Sequence, residues 1–173
     1  MDDSVLGTAP DVGLTLRTRL AELDDFREVD AMRNSSFAAG LIVAGDRADY
    51  ERAIARSDDE MWVVLRGDEL VGHYVLGISG GWLAELRTLV VKTQRCGIGA
   101  FALGAMLRRA FGELGAQRAY LEVVAENTAS RALCERAGFT LEGVWREGFR
   151  ADDGSFRDLC GYGLLAREYR ASR

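Results

Sequence analysis

Apolar and polar side chains alternate along Leu14-Thr15-Leu16-Arg17-Thr18-Arg19-Leu20, the period of a strand with one buried face. Asp24 and Asp25 offer N-cap chemistry for a helix that runs to about Phe37. A break follows over Gly40–Gly45, and a second helix is expected over Arg47–Arg56. Met61–Leu65 and Leu70–Leu76 flank Arg66-Gly67-Asp68-Glu69, the pattern of a hairpin. Trp82–Val91 reads as the next strand. After it, Leu103, Met106, Leu107, Ala110 and Leu114 recur at helical spacing, so a helix is predicted over Phe101–Leu114 with Gly115 as its stop.

Ala119–Val124 is a strand, and Asn127–Arg136 a short helix capped by Asn127 or Thr128 and ended by Gly138. Phe139–Phe149 and Phe156–Leu165 form a second hairpin through Ala151-Asp152-Asp153-Gly154. The predicted order is β-α-α-β-β-β-α-β-α-β-β, a mixed α/β fold. With no linker, repeat or low-complexity tract, the chain is expected to be a single domain over 1–173, with 1–13 as a loose lead-in.

Composition narrows the function classes. The 173 residues suffice for one domain with a real core, and 48% hydrophobic with 28% charged is ordinary for a globular protein. A net charge of −5 argues against a nucleic-acid binder and is compatible with a cationic substrate. No apolar run approaches the ~20 residues of a membrane span. The start Met1-Asp2-Asp3 carries neither a basic segment nor a hydrophobic leader, which predicts a cytoplasmic protein without membrane partners. Cys96, Cys134 and Cys160 are odd in number and widely spaced, so no disulfide framework is expected. His73 is the only histidine, and no metal site is expected.

The candidate chemistry starts at Gln94-Arg95-Cys96-Gly97-Ile98-Gly99-Ala100, between the strand ending at Val91 and the following helix. The first N–H groups of a helix lack partners and its dipole leaves that end partly positive, which suits a phosphate. Gly97 and Gly99 let backbone amides come close, and Arg95 can add charge-assisted bonds. A P-loop would need Gly-Lys followed by Ser or Thr, and Lys92 lies upstream of the glycines. A Rossmann turn accepts Ala102 in place of its third glycine, with Glu122 as the acidic residue on the next strand, so that reading stays open. The third reading is Gln/Arg-x-x-Gly-x-Gly/Ala, which Gln94, Gly97 and Gly99 fit.

That third pattern resembles the acetyl-CoA pyrophosphate turn of the GCN5-related N-acetyltransferases (GNAT superfamily). A second stretch supports it: Asn127, Ser130, Glu135, Gly138 and Phe139 match the segment Asn-x-x-Ser-x-x-x-Tyr-Glu-Lys-x-Gly-Phe. Glu142-Gly143-Val144-Trp145-Arg146 and Gly154-Ser155-Phe156-Arg157-Asp158 resemble the branch that acetylates ribosomal-protein N-termini (RimJ/RimL-like). The resemblance covers roughly residues 60–165. It implies a central sheet of about seven strands with helices on both faces, with the glycine turn after the fourth strand.

The resemblance further implies acetyl-CoA as acyl donor, direct transfer to an amine, and no metal. Residues 94–100 would bind the pyrophosphate, and backbone amides of Leu89, Val90 and Val91 would polarise the thioester carbonyl beside a bulge. Asn127 and Ser130 would bond the cofactor. Glu85, where relatives often carry a glutamate, is the leading base, with Glu122 in reserve. Cys134 stands where many relatives carry an acidic tyrosine, so Cys134 and Ser130 are the candidate acids. Asp158 is expected to order the last hairpin. Arg33, Asn34, Phe37, Tyr74, Trp82 and Trp145 are candidate acceptor lining. The acceptor would be a peptide or protein N-terminus or a small-molecule amine; a non-catalytic acyl-CoA-binding module is the alternative, and a homodimer is compatible with either.

Overall fold

The computed structural model describes residues 15–35, 38, 41–42, 46–56 and 58–171. Seven strands form one sheet: β1 (Leu16–Leu20), β2 (Asp59–Arg66), β3 (Glu69–Ser79), β4 (Leu83–Val91), β5 (Arg118–Val124), β6 (Thr140–Arg150) and β7 (Phe156–Leu165), in the order β1-β2-β3-β4-β5-β7-β6. All neighbours are antiparallel except β4 and β5. The helices are α1 (Phe26–Arg33), α2 (Arg47–Ala55), α3 (Ile98–Leu107), α4 (Thr128–Arg136) and α5 (Ala166–Ala171). The mixed α/β sheet with helices on both faces matches the expected fold. Among the described residues no helix is long and apolar enough to cross a membrane.

Two hydrophobic clusters sit on the two faces. Val29, Met32 and Tyr50 of α1 and α2 pack on Met61, Val63, Val75 and Val90. On the opposite face Ile98, Leu103 and Met106 of α3, Cys134 of α4 and Ala166 of α5 cover Ala84, Leu86, Ala119, Leu121 and Tyr162. Buried β2 and β3 are therefore apolar on both faces and show no clean alternation.

Several boundaries differ from expectation for physical reasons. The helix expected from Phe101 begins at Ile98, because Gly97 adopts φ 80° and so turns the chain into the helix three residues early. Its last turn, Arg108–Glu113, is π-helical. The first helix stops at Arg33; Phe37, Gly40, residues 43–45 and the lead-in 1–13 lie outside the described residues. α5 was not anticipated; its Glu168 side chain accepts the Leu165 N–H at 3.0 Å. Asp158 does order the last hairpin, accepting the Glu147 N–H at 2.8 Å.

His73 lies on β3 opposite Val63 and Val90, fully buried, and neither ring nitrogen has a hydrogen-bond partner among the described residues. Burial, reinforced by the nearby Arg33 charge, pushes its pKa down to about 3. An unfolded histidine titrates near ~6.5, so the neutral ring favours the folded state fully above that pH and loses this as pH falls toward 3. Stability should drop by about 1.4 kcal/mol per pH unit below ~6. His73→Leu should remove that component, measured by urea unfolding of both proteins at pH 7 and pH 5. An unchanged pH difference between the two would refute it.

Candidate active site

The parallel ladder between β4 and β5 is three pairs long: Leu83 with Arg118, Ala84 with Ala119, Glu85 with Tyr120. Beyond Glu85 the strands separate and leave a cleft of about 560 Å³. Opposite, β4 keeps its pairing with β3, but Thr88 faces Val75 while Leu86 faces Leu76, so Arg87 is an inserted bulge residue. The bulge falls just ahead of Leu89–Val91, which line the cleft.

The open end of the cleft is the glycine turn. Arg95 (φ 60°) and Gly97 (φ 80°) are both left-handed, and the first helical bond is Phe101 N–H to Gly97 C=O at 3.0 Å. The amides of residues 98–100 thus stand at the positive end of α3 without helical acceptors. Gln94, Arg95, Gly97, Gly99 and Ala100 line the cleft. Ile98 is buried in the core, and the Cys96 thiol donates to Thr93 C=O at 3.0 Å, so the side chains of these two face elsewhere. The donor set of a left-handed turn, a helix end and a guanidinium fits a pyrophosphate, and the unpaired edge of β4 fits an amide-bearing chain.

α4 forms the facing wall. Asn127 caps it by accepting the Ser130 N–H at 3.1 Å, which leaves the carboxamide N–H groups for a ligand. Asn127, Ser130 and Cys134 all line the cleft. Cys134 is only 4% exposed, and burial pushes its thiol up to about 12. The motif glutamate, Glu135, accepts the Tyr162 hydroxyl at 2.9 Å and so ties α4 to β7.

Carboxylates gather at the closed end. Glu85 does not line the cleft itself; it accepts Arg87 Nε at 2.8 Å, and burial together with the nearby Glu85 carboxylate raises the pKa of the Tyr120 hydroxyl. Arg87 is in turn held by buried Asp59 at 2.5 and 2.6 Å. Glu122, on β5, does line the cleft, and burial with the Glu85 charge raises its pKa. Of the expected acceptor residues, Tyr74 is corrected to core: it is 1% exposed on the α3 face and stacks on Trp62. The Asn34 amide is held by Asp30 at 2.8 Å, and Trp82 is exposed on the β3–β4 turn. Trp145 lies across β7. Arg87, Thr88, Met106 and Arg136 also line the cleft and went unrecognised in the sequence, because their placement depends on the bulge and on how α3 and α4 face each other.

The spermidine N-acetyltransferase from Vibrio cholerae, in complex with CoA and spermine, superposes with a TM-score of 0.80 at 23% identity, over 90% of this chain and 98% of that one. A single-residue mutant of that enzyme gives 0.79 at 22% identity, over 91% and 98%. These likenesses establish a shared fold. The sequence model of the acetyltransferase (GNAT) family matches residues 26–139, which hold the cleft, the glycine turn and α4. The chain belongs to the acetyltransferase (GNAT) family, and by that membership it is an acetyl-CoA-dependent N-acetyltransferase.

Proposed function

We propose that the protein moves the acetyl group of acetyl-CoA directly to a primary amine, either a peptide or protein N-terminus or a small-molecule amine. The observation that carries this reading is the β4–β5 split ending in the glycine turn. Amides of residues 97–100 and Arg95 hold the pyrophosphate, while Asn127 and the open edge of β4 hold the pantetheine amides. Backbone N–H groups at Leu89–Val91 stabilise the negative charge that develops on the thioester oxygen.

Glu85 is the base, acting through water. Arg87 fixes its orientation, and a carboxylate has about four acceptor positions, so some remain for water. A thiol near 12 is a weak donor to a thiolate whose own pKa is ~8.5, so in this reading Cys134 is cleft wall, not acid. Cys134→Ala should keep turnover within about twofold and cost roughly 1 kcal/mol of stability. A large fall in turnover with intact CoA binding would restore Cys134 as the acid. The runs Glu142–Arg146 and Gly154–Asp158 support membership of the RimJ/RimL-like branch, and the acidic charge of −5 suits a cationic acceptor.

The deciding experiment incubates the purified protein with acetyl-CoA and a panel of amines and N-terminal peptides, reading free thiol. Release with any acceptor excludes a mere CoA-binding module and sorts peptides from small amines. Silence across the panel, with CoA bound, would overturn the enzymatic reading.

A further inference from the structure

Beyond β4, the sheet face on the α1 and α2 side carries Tyr120 and Glu122 on β5, then Gly163 and Gly161 directly opposite them on β7. Paired residues of a ladder share a face, so a side chain at 161 would stand beside Glu122. That space is filled from β6 instead. A Cβ at Gly161 would lie 2.5 Å from the six-membered ring of Trp145, and one at Gly163 would meet the Glu142 carboxylate.

Both side chains come from irregular points of β6. The register skips between Leu141 and Gly143, and again between Trp145 and Phe149. In the second bulge Glu147 is left-handed (φ 55°) and its amide is pinned by Asp158 at 2.8 Å. Bulges beside functional sites re-aim side chains, and this one lays an indole across β7 while leaving it 51% exposed. Glu142 is occupied by Arg118. Glu122 has no hydrogen-bond or ion-pair partner among the described residues, and the charge that acts on it is that of Glu85, of the same sign. The indole over Gly161 and the carboxylate of its register partner Glu122 therefore lie on the same sheet face, on adjacent strands beside the split. Together they suit a cation.

We propose that Trp145 and Glu122 form the subsite that fixes acceptor choice, holding a second, non-reacting ammonium of a linear diamine or polyamine while its reacting amine stands at the β4–β5 split. This rests on the N-acetyltransferase reading above. Adjacent strands are ~4.8 Å apart, so the two amines lie about one to two strand spacings from each other. Gly161 is the positioning element, because any side chain there would lift the indole off β7.

The test is direct binding to the full chain saturated with CoA, by calorimetry with 1,6-diaminohexane and with 1-aminohexane. Wild type should prefer the diamine about tenfold or more. Trp145→Ala and Glu122→Gln should each abolish that preference, Trp145→Ala without changing CoA affinity, and Trp145→Phe should keep most of it. Equal affinity of wild type for both amines, or a preference that survives both substitutions, would overturn the subsite. Selective diamine binding without any thiol release would instead leave the subsite standing and overturn the catalytic reading.

Discussion

Replacing Gly97 by valine should weaken acetyl-CoA binding at least about a hundredfold and lower the melting temperature by only about 2–8 °C. Gly97 sits at φ 80° immediately before α3. A β-branched residue there costs roughly 1–2 kcal/mol, which the fold escapes by rotating the turn. The rotation takes the amides of residues 98–100 off the pyrophosphate. Each charge-assisted bond lost is worth about 1.5–3 kcal/mol, so two suffice for the hundredfold effect. Gly99 offers a contrast, since a Cβ there would meet only Leu133 Cδ2 at 3.5 Å. Gly99→Ala should therefore fold normally, while a bulky residue at 99 should fill the cleft and block the cofactor. Retention of wild-type affinity in Gly97→Val would remove the turn from the binding site; calorimetry with CoA decides it.

Glu85→Gln should lower kcat by about 10²-fold or more at pH 7, with the defect shrinking toward pH 9. An alkylamine with pKa ~10.4 is neutral about once in several thousand molecules at pH 7, so an enzyme without its base waits for the rare free amine. Each unit of rising pH supplies tenfold more of it, and the variant should climb where wild type levels off. The amide keeps the shape of the side chain, so the Arg87–Asp59 pair should survive and acetyl-CoA affinity should be unchanged. Parallel pH profiles of the two proteins would remove Glu85 as base. For peptide N-termini, with pKa near ~8, the same substitution should cost much less.

The cleft wall proposed to hold the cofactor was legible because it is contiguous in sequence. The turn at 94–100 and the segment from Asn127 to Phe139 each carry their geometry in local residues, a left-handed glycine and a capping asparagine. The proposed acceptor half is assembled across strands, and no local pattern announces it. Arg87 enters through a bulge, Glu122 is a neighbour of Glu85 only because β4 and β5 run parallel, and Trp145 reaches Gly161 by a skip in register. Tyr74 was indistinguishable from lining because β3 is covered on both faces and lacks alternation. The early start of α3 turned on the sign of one dihedral angle, which a sequence does not display.

The three-pair seam between β4 and β5 also has a consequence in time. Past Glu85 the backbone ladder stops while the side-chain core continues beneath it. The β4 amides that point toward β5 then have no ladder partner, while those on the other side keep theirs on β3, so local opening on the β5 side needs no global unfolding. Within Leu86–Val91, the amides that point toward β5 should exchange fast in the free protein and slow steeply when CoA is added, with the amides bonded to β3 and the β1–β2 and β6–β7 ladders little changed. The protein would carry its own clock of occupancy, readable amide by amide without any acceptor present.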